Sequence, residues 1–287
     1  MLSPLFGQLS PLRVPTRVAE RQLSDADAIT YIAAVETADA QTLEDGVKFA
    51  YEDFVLGCKS DGIWSAIKAS CILAGARTLS GALVPLTGTA PTNFNFVSGD
   101  YDRETGLKGN GTTKYLNSNR AGNDDPVDSK HLFVNFSEKW TRLTNSTGGN
   151  TNFTALGQYN LSGASNIIGN TYGSITLRAN GATKIFPSYT TSYPLGGVGA
   201  SVSGTTLDWL FNNDGSAANP TTTSGSGGVT PSILAGNIAV FGALQGSKLI
   251  YQSNPRLSFY SIGEDIDLSL LNTRVSTLMT DIAAAIP

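Results

Sequence analysis

Short apolar runs, separated by clusters of Gly, Asn, Pro and Ser, fill most of the chain after Pro91. Residues 93–97 alternate polar and apolar side chains, and residues 131–136 are almost continuously apolar. Such segments between turn residues are typical of the strands of a sandwich or barrel. The other candidate strands are residues 107–108, 114–117, 139–143, 153–159, 166–168, 174–178, 183–186, 198–202, 207–211, 238–244 and 256–262. The sequence therefore predicts a mainly-β sandwich over residues 92–264.

A tight-turn signal, Asn110-Gly111, stands at the start of this β region, between candidate strands 107–108 and 114–117. Asn-Gly supplies the two positive-φ positions of a type I′ turn, which matches the twist of paired strands. The pattern predicts a hairpin here, with Tyr115 and Leu116 in the core of the sandwich.

Helical patterns precede and follow the β region. A helix is predicted from Ser24 to about residue 38, a second from a cap at Asp39 to Gly57, and a third over residues 61–75. A terminal helix begins after Asp267, and its apolar side chains repeat every three to four residues. We expect a helical segment and connector over residues 24–91 and a C-terminal helix over residues 265–287. That last helix either packs on the helical segment, which we favour, or forms an oligomer contact.

The first 23 residues read as an extended arm, because prolines interrupt any helix. The arm is nevertheless apolar, and such side chains are buried either on a partner or on the rest of the domain. The predicted partner-anchoring residues are Leu5, Phe6, Leu9, Leu12 and Val14.

The chain carries 19 basic and 23 acidic residues, a net charge of −4, so it lacks the basic footprint of a nucleic-acid-binding protein. Its charged fraction of 15% is well below the ~25% of average soluble domains, and neutral polar residues and Gly take the place of charge. This composition is typical of proteins that work outside cells. Yet the N-terminus lacks the apolar core of a signal peptide, and no apolar run reaches the roughly 20 residues of a membrane span. A virus particle fits both facts, since its proteins fold in the host cytoplasm and act outside it.

Enzyme motifs are missing from the sequence, which contains neither a Gly-x-Ser-x-Gly nor a phosphate-binding loop. The one histidine, His131, starts an apolar strand and is interpreted as structural. A glycosidase needs two carboxylates in one cleft, and no strand pattern directs two acids to one face. The acids considered for that role are Asp208, Asp214, Glu264 and Asp265. We therefore predict a chain without catalytic residues that is not an enzyme.

Metal and cofactor sites are also not indicated. Cys58 and Cys71 lie in apolar contexts and, with His131, are too few for a zinc site. The acidic stretch 123–128 offers oxygens that suit calcium, although its spacing differs from an EF-hand loop, and a solvated turn is the alternative. No cofactor is predicted, with calcium left open.

Aromatic side chains near polar, Gly-rich turns are candidates for binding sugar. Tyr189, Tyr193 and Trp209 are in this position. Each could equally belong to the sandwich core, and Trp209 lies between apolar neighbours.

Several stretches resemble known families. Residues 106–116, 131–136 and 257–263 resemble the opening hairpin, the next core strand and the last strand of laminin-G-like, or concanavalin-like, jelly-roll domains. Residues 61–64, 69–79, 99–117 and 260–264 resemble phage virion proteins in which a short helical segment precedes a jelly roll. The resemblance implies a jelly-roll β-sandwich that binds other molecules through its rim loops.

From these observations we expect a non-enzymatic phage virion protein, a tail fibre or tail-tip subunit. It would be anchored to other virion proteins by the arm, would recognise a host-surface glycan, and would form a homotrimer. A capsid decoration protein is the alternative, and a polysaccharide-degrading enzyme is a further one.

Overall fold

The structure is a computed structural model that describes residues 21–138, 153–159, 165–171, 174–186, 195–212, 221–226 and 235–287. The predicted arm residues Leu5, Phe6, Leu9, Leu12 and Val14 lie outside this set. None of the described helices combines the length and apolar content needed to cross a membrane.

Helices occur before and after the strands. They are α1 (Ala26–Asp39), α2 (Asp45–Ser60), the single turn α3 (Leu79–Ala82) and α4 (Leu268–Ala285), with short 3₁₀ turns at Trp64–Ala66 and Ser98–Asp100. Asp25 caps α1 by accepting from the N–H groups of Asp27 and Ala28. The predicted cap of the last helix is confirmed, because the Asp267 carboxylate accepts from the N–H groups of Ser269 and Leu270.

The strands form two sheets. In chain order they are β1 (Ile67–Ile72), β2 (Thr92–Phe94), β3 (Tyr101–Asp102), β4 (Gly106–Lys108), β5 (Tyr115–Ala121), β6 (Ser129–Phe136), β7 (Phe153–Gln158), β8 (Asn166–Thr171), β9 (Ser174–Ala179), β10 (Ala182–Phe186), β11 (Gly196–Ser203), β12 (Thr206–Phe211), β13 (Thr221–Ser226), β14 (Asn237–Val240), β15 (Ala243–Gln245), β16 (Lys248–Ile250) and β17 (Arg256–Gly263). Sheet A has the order β13-β12-β11-β6-β17-β4-β3, and β1 also pairs with β17. Sheet B has the order β10-β9-β8-β7-β14-β5-β2, with β15 and β16 beside β7. The predicted mainly-β, two-sheet architecture with flanking helices is confirmed and is consistent with a jelly roll.

Sheet A is buried on both faces, and its two faces belong to two different cores. Leu132, Val134 and Tyr260 lie in the core between the sheets. The intervening Phe133 and Phe259 lie in a second core with the apolar sides of α1, α2 and α4. The layers are therefore helices, sheet A and sheet B, and strands buried on both faces are apolar at nearly every position.

Small residues let α4 pack closely on its two neighbours. A Cβ added at Gly197 of β11 would lie 2.0 Å from Asn272 Oδ1. A Cβ at Gly57 of α2 would lie 2.8 Å from Arg274 Cδ, and Arg274 donates two hydrogen bonds of 2.7 Å to Asp61. Close packing and an ion pair thus fix α4 against both α2 and the sheet.

The predicted third helix is wrong. Residues 61–75 form a 3₁₀ turn and then β1, which pairs with β17 from Ile67↔Gly263 to Ile72↔Phe259. Ala69 and Cys71 face the core between the sheets, while Ile67 and Ile72 face the helices. A strand that is buried on both faces has no period of two, and its isoleucine spacing imitates a helix.

The other predicted helix boundaries differ as well, and at the first helix Asp25 rather than Ser24 is the cap. Asp39 does not start the second helix: it ends α1, and its buried carboxylate accepts from the N–H groups of Arg77, Thr78 and Gly81. Gly57 does not close α2, which continues to Ser60.

The Asn110-Gly111 turn is not the predicted hairpin. Strand β4 belongs to sheet A and β5 to sheet B, so the turn carries the chain from one sheet to the other. Gly111 has φ +72°, whereas Asn110 is not among the residues with positive φ, as a type I′ turn would require. Asn110 instead accepts three backbone N–H bonds with Oδ1, from residues 112–114. Leu116 lies in the core as predicted, and Tyr115 is partly buried against it.

The close approach of α4 can be tested at Gly197. We expect Gly197→Ala to lower the free energy of unfolding by about 1–3 kcal/mol, because the added methyl group overlaps Asn272 and Phe133. Urea unfolding gives this value, with Gly99→Ala as the control, since a Cβ at Gly99 meets open space. Adding Asn272→Ala to Gly197→Ala should restore part of the loss, and equal midpoints for the two glycine variants would contradict this account.

Candidate functional site

An open cleft of about 390 Å³ lies where the β11–β12 hairpin meets the start of α4. It is lined by Ser201, Ser203, Asp208, Asp265, Ile266, Asp267, Leu268 and Ser269. We call this concavity the acidic cleft.

The hairpin supplies one wall of the cleft. Ser201 on β11 pairs directly with Asp208 on β12, so their side chains lie side by side on the helix-facing side of sheet A. The alternate residues Val202 and Leu207 point to the core between the sheets. The two-residue connection that contains Gly204 (φ +61°) fixes this register, and with it the position of the Asp208 carboxylate.

The segment before α4 supplies the other wall and is tied to the same strands. The Ile266 N–H donates to Ser201 Oγ at 2.9 Å, and the Asp265 N–H donates to Ser129 Oγ at 3.0 Å. The Ser129 hydroxyl in turn donates to the Asp265 carboxylate. Asp267 then caps α4, and the positive end of the helix dipole compensates the charge of the Asp267 carboxylate.

The cleft is acidic and hydrogen-bonding. Asp265 and Asp267 are exposed and Asp208 is half-buried, whereas the lining residues of the described chain include no Lys, Arg or His. Carboxylates accept hydrogen bonds, and serine hydroxyls both donate and accept. This arrangement suits a ligand rich in hydroxyl groups and disfavours one with phosphate or carboxylate groups.

His131 lies next to the cleft but has no access to it. The ring is fully buried, with Nε2 2.7 Å from Ser261 Oγ and Nδ1 2.5 Å from the Glu264 carbonyl oxygen. Burial lowers the pKa of His131 to about 4, so the ring is neutral at pH 7. A neutral ring that donates from Nδ1 to the carbonyl and accepts at Nε2 satisfies both contacts. We interpret His131 as the structural support of the turn before α4.

The acidic loop that was considered for calcium contains its own counter-charge. Asp125 is buried and accepts from Lys130 Nζ at 2.6 Å and from Arg120 Nε at 3.2 Å. Burial alone would raise the pKa of Asp125, but the hydrogen bond from Arg120 and the charge of Lys130 lower it overall. Burial also lowers the pKa of Lys130. Asp124 accepts from the Ala121 N–H, and the described residues contain no group of three or more His, Cys, Asp or Glu placed to hold a metal.

The sugar-binding candidates divide into two groups. Tyr189 and Tyr193 lie outside the described residues. Trp209 is 5% exposed within the core between the sheets, so it is not available to stack on a sugar. The core role that the sequence left open for Trp209 is therefore the one it has.

The four acids considered for a paired-carboxylate site have different positions in the structure. Asp208 and Asp265 line the same cleft, although 56 residues lie between them in the chain. Glu264 instead pairs with Lys68 at 3.1 Å, and Asp214 lies outside the described residues. The sequence analysis found no strand that directs two acids to one face, and these two acids come from different elements, one from a strand and the other from the loop before a helix.

Comparisons with known proteins give no family for the chain. No family model matches it, and no curated protein sequence matches it. A solved structure of the enzymatically active domain of tailspike protein 2 from bacteriophage CBA120 is similar at 11% identity and a TM-score of 0.39, covering 70% of this chain and 30% of that one. A sialidase from Trypanosoma rangeli is similar at 10% identity and a TM-score of 0.38, covering 88% and 38%. A xylan β-1,4-xylosidase from Bacillus halodurans is similar at 9% identity and a TM-score of 0.24, covering 48% and 28%.

These neighbours correct one prediction. They include an active domain of a tailspike, a sialidase and a xylosidase, which contradicts the prediction that the chain is not an enzyme, and that prediction is withdrawn. The chain spans less than two fifths of the length of each of these proteins. With TM-scores below 0.5, the similarities assign neither an activity nor a family to the chain. The laminin-G-like assignment stays a prediction.

The buried cation of the acidic loop can be tested by removing it. We expect Lys130→Met to lower the free energy of unfolding by about 3–5 kcal/mol, because the Asp125 carboxylate keeps its burial and loses one of its two cations. The matched control is Lys68→Met, which removes a partly exposed pair and should cost less than about 1 kcal/mol. Urea unfolding of both variants measures the difference in the free energy of unfolding. Similar losses for the two variants would contradict the burial of the Lys130–Asp125 pair.

The neutral state of His131 predicts a pH dependence. The pKa of His131 is about 4 in the folded state, below the unfolded value of 6.5, so the unfolded chain binds the proton more readily. Stability from this group is complete above pH 6.5 and decreases as the pH falls toward 4, by about 2 kcal/mol between pH 7 and pH 5.

Since the sequence has a single histidine, its ring protons can be followed directly by NMR. A titration midpoint near 4 is expected. A midpoint near 6.5 would contradict the burial of the ring.

Proposed function

We propose that this chain is a phage tail-associated protein that binds a neutral carbohydrate of the host surface in the acidic cleft. The observation that carries the proposal is the cleft itself, in which carboxylates and serine hydroxyls from β11, β12 and the start of α4 converge. Sugars present rows of hydroxyl groups, and each can donate to a carboxylate and accept from a hydroxyl.

The rigidity of both walls supports a binding role. Asp208 is held by the register of a hairpin, and the Asp265 segment is bonded to Ser129 and Ser201. Polar groups that are positioned before the ligand arrives lose little entropy on binding. The absence of basic side chains from the described lining makes neutral sugars better ligands than anionic ones.

The phage association rests on the sequence. The stretches that resemble phage virion proteins and the low charged fraction of 15% support it. Within this proposal, the chain is a tail fibre or tail-tip subunit, anchored through residues 1–23 and assembled as a trimer, and a capsid decoration protein is the alternative. Imaging the protein in assembled particles distinguishes the two positions.

Glycoside hydrolysis at the same cleft is a second candidate function. The observation that favours it is the presence of Asp208 and Asp265 in one cleft, because glycosidases use two carboxylates on either side of the scissile bond. Release of reducing ends from host-surface polysaccharide would support hydrolysis, whereas binding without release would support recognition alone.

The role of the cleft can be tested with Asp208→Asn and Asp265→Asn. We expect each substitution to weaken binding to a host-surface polysaccharide by roughly tenfold, because a charge-assisted hydrogen bond becomes a neutral one. A glycan array followed by calorimetry on the strongest neutral ligand measures the change.

The control is Glu104→Gln, an exposed carboxylate between β3 and β4 at the opposite edge of sheet A. It should leave binding unchanged. Unaltered binding by both aspartate variants, with melting temperatures equal to that of the parent protein, would refute the cleft as the site.

A further inference from the structure

A second surface with binding chemistry lies on sheet B, at its edge strand β2. Thr92 pairs with Asn117 and Phe94 pairs with Tyr115 across β2 and β5. Leu116, between Tyr115 and Asn117, points into the core between the sheets, so alternation along the strands places these four side chains on the opposite face, with Tyr115 also partly buried against that core. We call these four residues the aromatic platform.

The two rings of the platform form one flat apolar surface. Phe94 and Tyr115 are stacked, with ring centroids 4.3 Å apart and planes within 5° of parallel. Tyr115 covers one face of the Phe94 ring, and β2 is the last of the described strands of sheet B, so none of those strands covers the other face. Phe94 is 37% exposed as a result, although Phe is normally buried.

Hydrogen bonds hold the platform in this conformation. The Asn93 side chain exchanges two bonds of 3.0 Å with the backbone of Phe96. Asn95 has φ +69° and donates to the Thr113 carbonyl at 2.8 Å. Asn119 donates to Thr92 Oγ1 at 3.0 Å. An edge strand fixed on both sides of an exposed ring cannot easily turn that ring inward.

The size and charge of the surface indicate what it binds. Val97, 59% exposed, is the one other exposed large apolar residue near Phe94 in the described sequence. Two such side chains are far short of the roughly 800 Å² per partner of a stable protein interface. Lys114, which precedes Tyr115 in the chain, forms an ion pair with Asp100 at 2.5 Å, so its charge is compensated and does not favour an anionic ligand.

We propose that the aromatic platform binds one pyranose unit of a neutral saccharide. The apolar face of the sugar stacks on the free face of Phe94, and Thr92 and Asn117 form hydrogen bonds to its hydroxyl groups. This inference takes its ligand class from the proposed function, but the platform shares no residue with the acidic cleft.

Affinity electrophoresis in native gels tests the platform. The probes are dextran, laminarin and a galactomannan as neutral polymers and alginate as an anionic one, and mobilities are compared with gels that lack polymer. We expect at least one neutral polymer to retard the protein, and Phe94→Ala to raise the Kd about five- to tenfold. Phe94→Tyr should retain binding because it keeps the ring.

One control variant and a mass measurement make the result specific. Ile29→Ala removes an apolar side chain on α1 of comparable exposure, 42%, and should change nothing. Light scattering should give the same mass for the parent protein and Phe94→Ala, and a lower mass for the variant would mean that the platform is a contact between copies of the chain.

The proposal is overturned if Phe94→Ala binds like the parent protein, if no neutral polymer retards the parent, or if alginate retards it more strongly. Asp208→Asn in the same gels separates the two sites. If only Asp208→Asn loses binding to the polymer, the platform is rejected as a binding site and the cleft is supported. The same conclusion holds if cleft-dependent binding is seen on the glycan array but not in the gels. If only Phe94→Ala loses binding, the platform is supported and the cleft is rejected as the site that binds this polymer.

Discussion

The burial of sheet A on both faces is the constraint on which the rest of the structure depends. Strands β6 and β17 pair along their length, and their alternate side chains enter different cores. Backbone groups in such a layer have no access to water, so each must be paired within the sheet. Two polar side chains that enter it are paired as well: Asn135 donates to Ser258 Oγ at 2.8 Å, and His131 contacts Ser261.

The helical layer is therefore part of the sandwich rather than an addition to it. The loop that follows β1 shows how the layers are joined, since Tyr51 of α2 donates to the Ala74 carbonyl at 2.8 Å and Tyr101 of β3 donates to the Ala76 carbonyl at 2.7 Å. Arg103 donates to that same Ala76 carbonyl and to Glu44. Together these side chains provide hydrogen-bond donors for the Ala74 and Ala76 carbonyls of the loop.

Local signals in the sequence were sufficient to predict a segment's secondary structure where that structure depends on residues nearby in the chain. Most strands after Pro91 and the Asp267 cap follow from turn residues and side-chain periodicity, and both were predicted. The third helix and the Asn110-Gly111 hairpin were mispredicted because each depended on a distant partner: β1 is a strand because β17 lies beside it, and β4 and β5 separate because each has other strands to pair with. These partner strands cannot be identified from residues 61–75 or from the Asn110-Gly111 turn alone.

The acidic cleft was not predicted for a similar reason, although the sequence does indicate one of its two walls. Residues 200–209 alternate around Gly204, which places Ser201, Ser203 and Asp208 on one face of a hairpin. The opposite wall comes from residues 265–269, which the sequence indicated only as a helix start. Their meeting depends on where α4 docks, and α4 docks at Gly197 and Gly57, whose roles as contact glycines have no local signature.

The layer order gives the two proposed binding surfaces different surroundings. Arg21, the first residue of the described chain, lies on the helical layer: its guanidinium pairs with Asp53 and lies 4.5 Å from the centre of the Phe49 ring on α2. The acidic cleft opens between that layer and sheet A, whereas the aromatic platform lies on the outer face of sheet B, on the far side of the sandwich. A partner bound to the helical layer would therefore lie on the opposite side of the sandwich from the platform. The cleft, which includes the α4 terminus, would lie nearer to it, so a partner that covers the helical layer would affect the cleft before the platform.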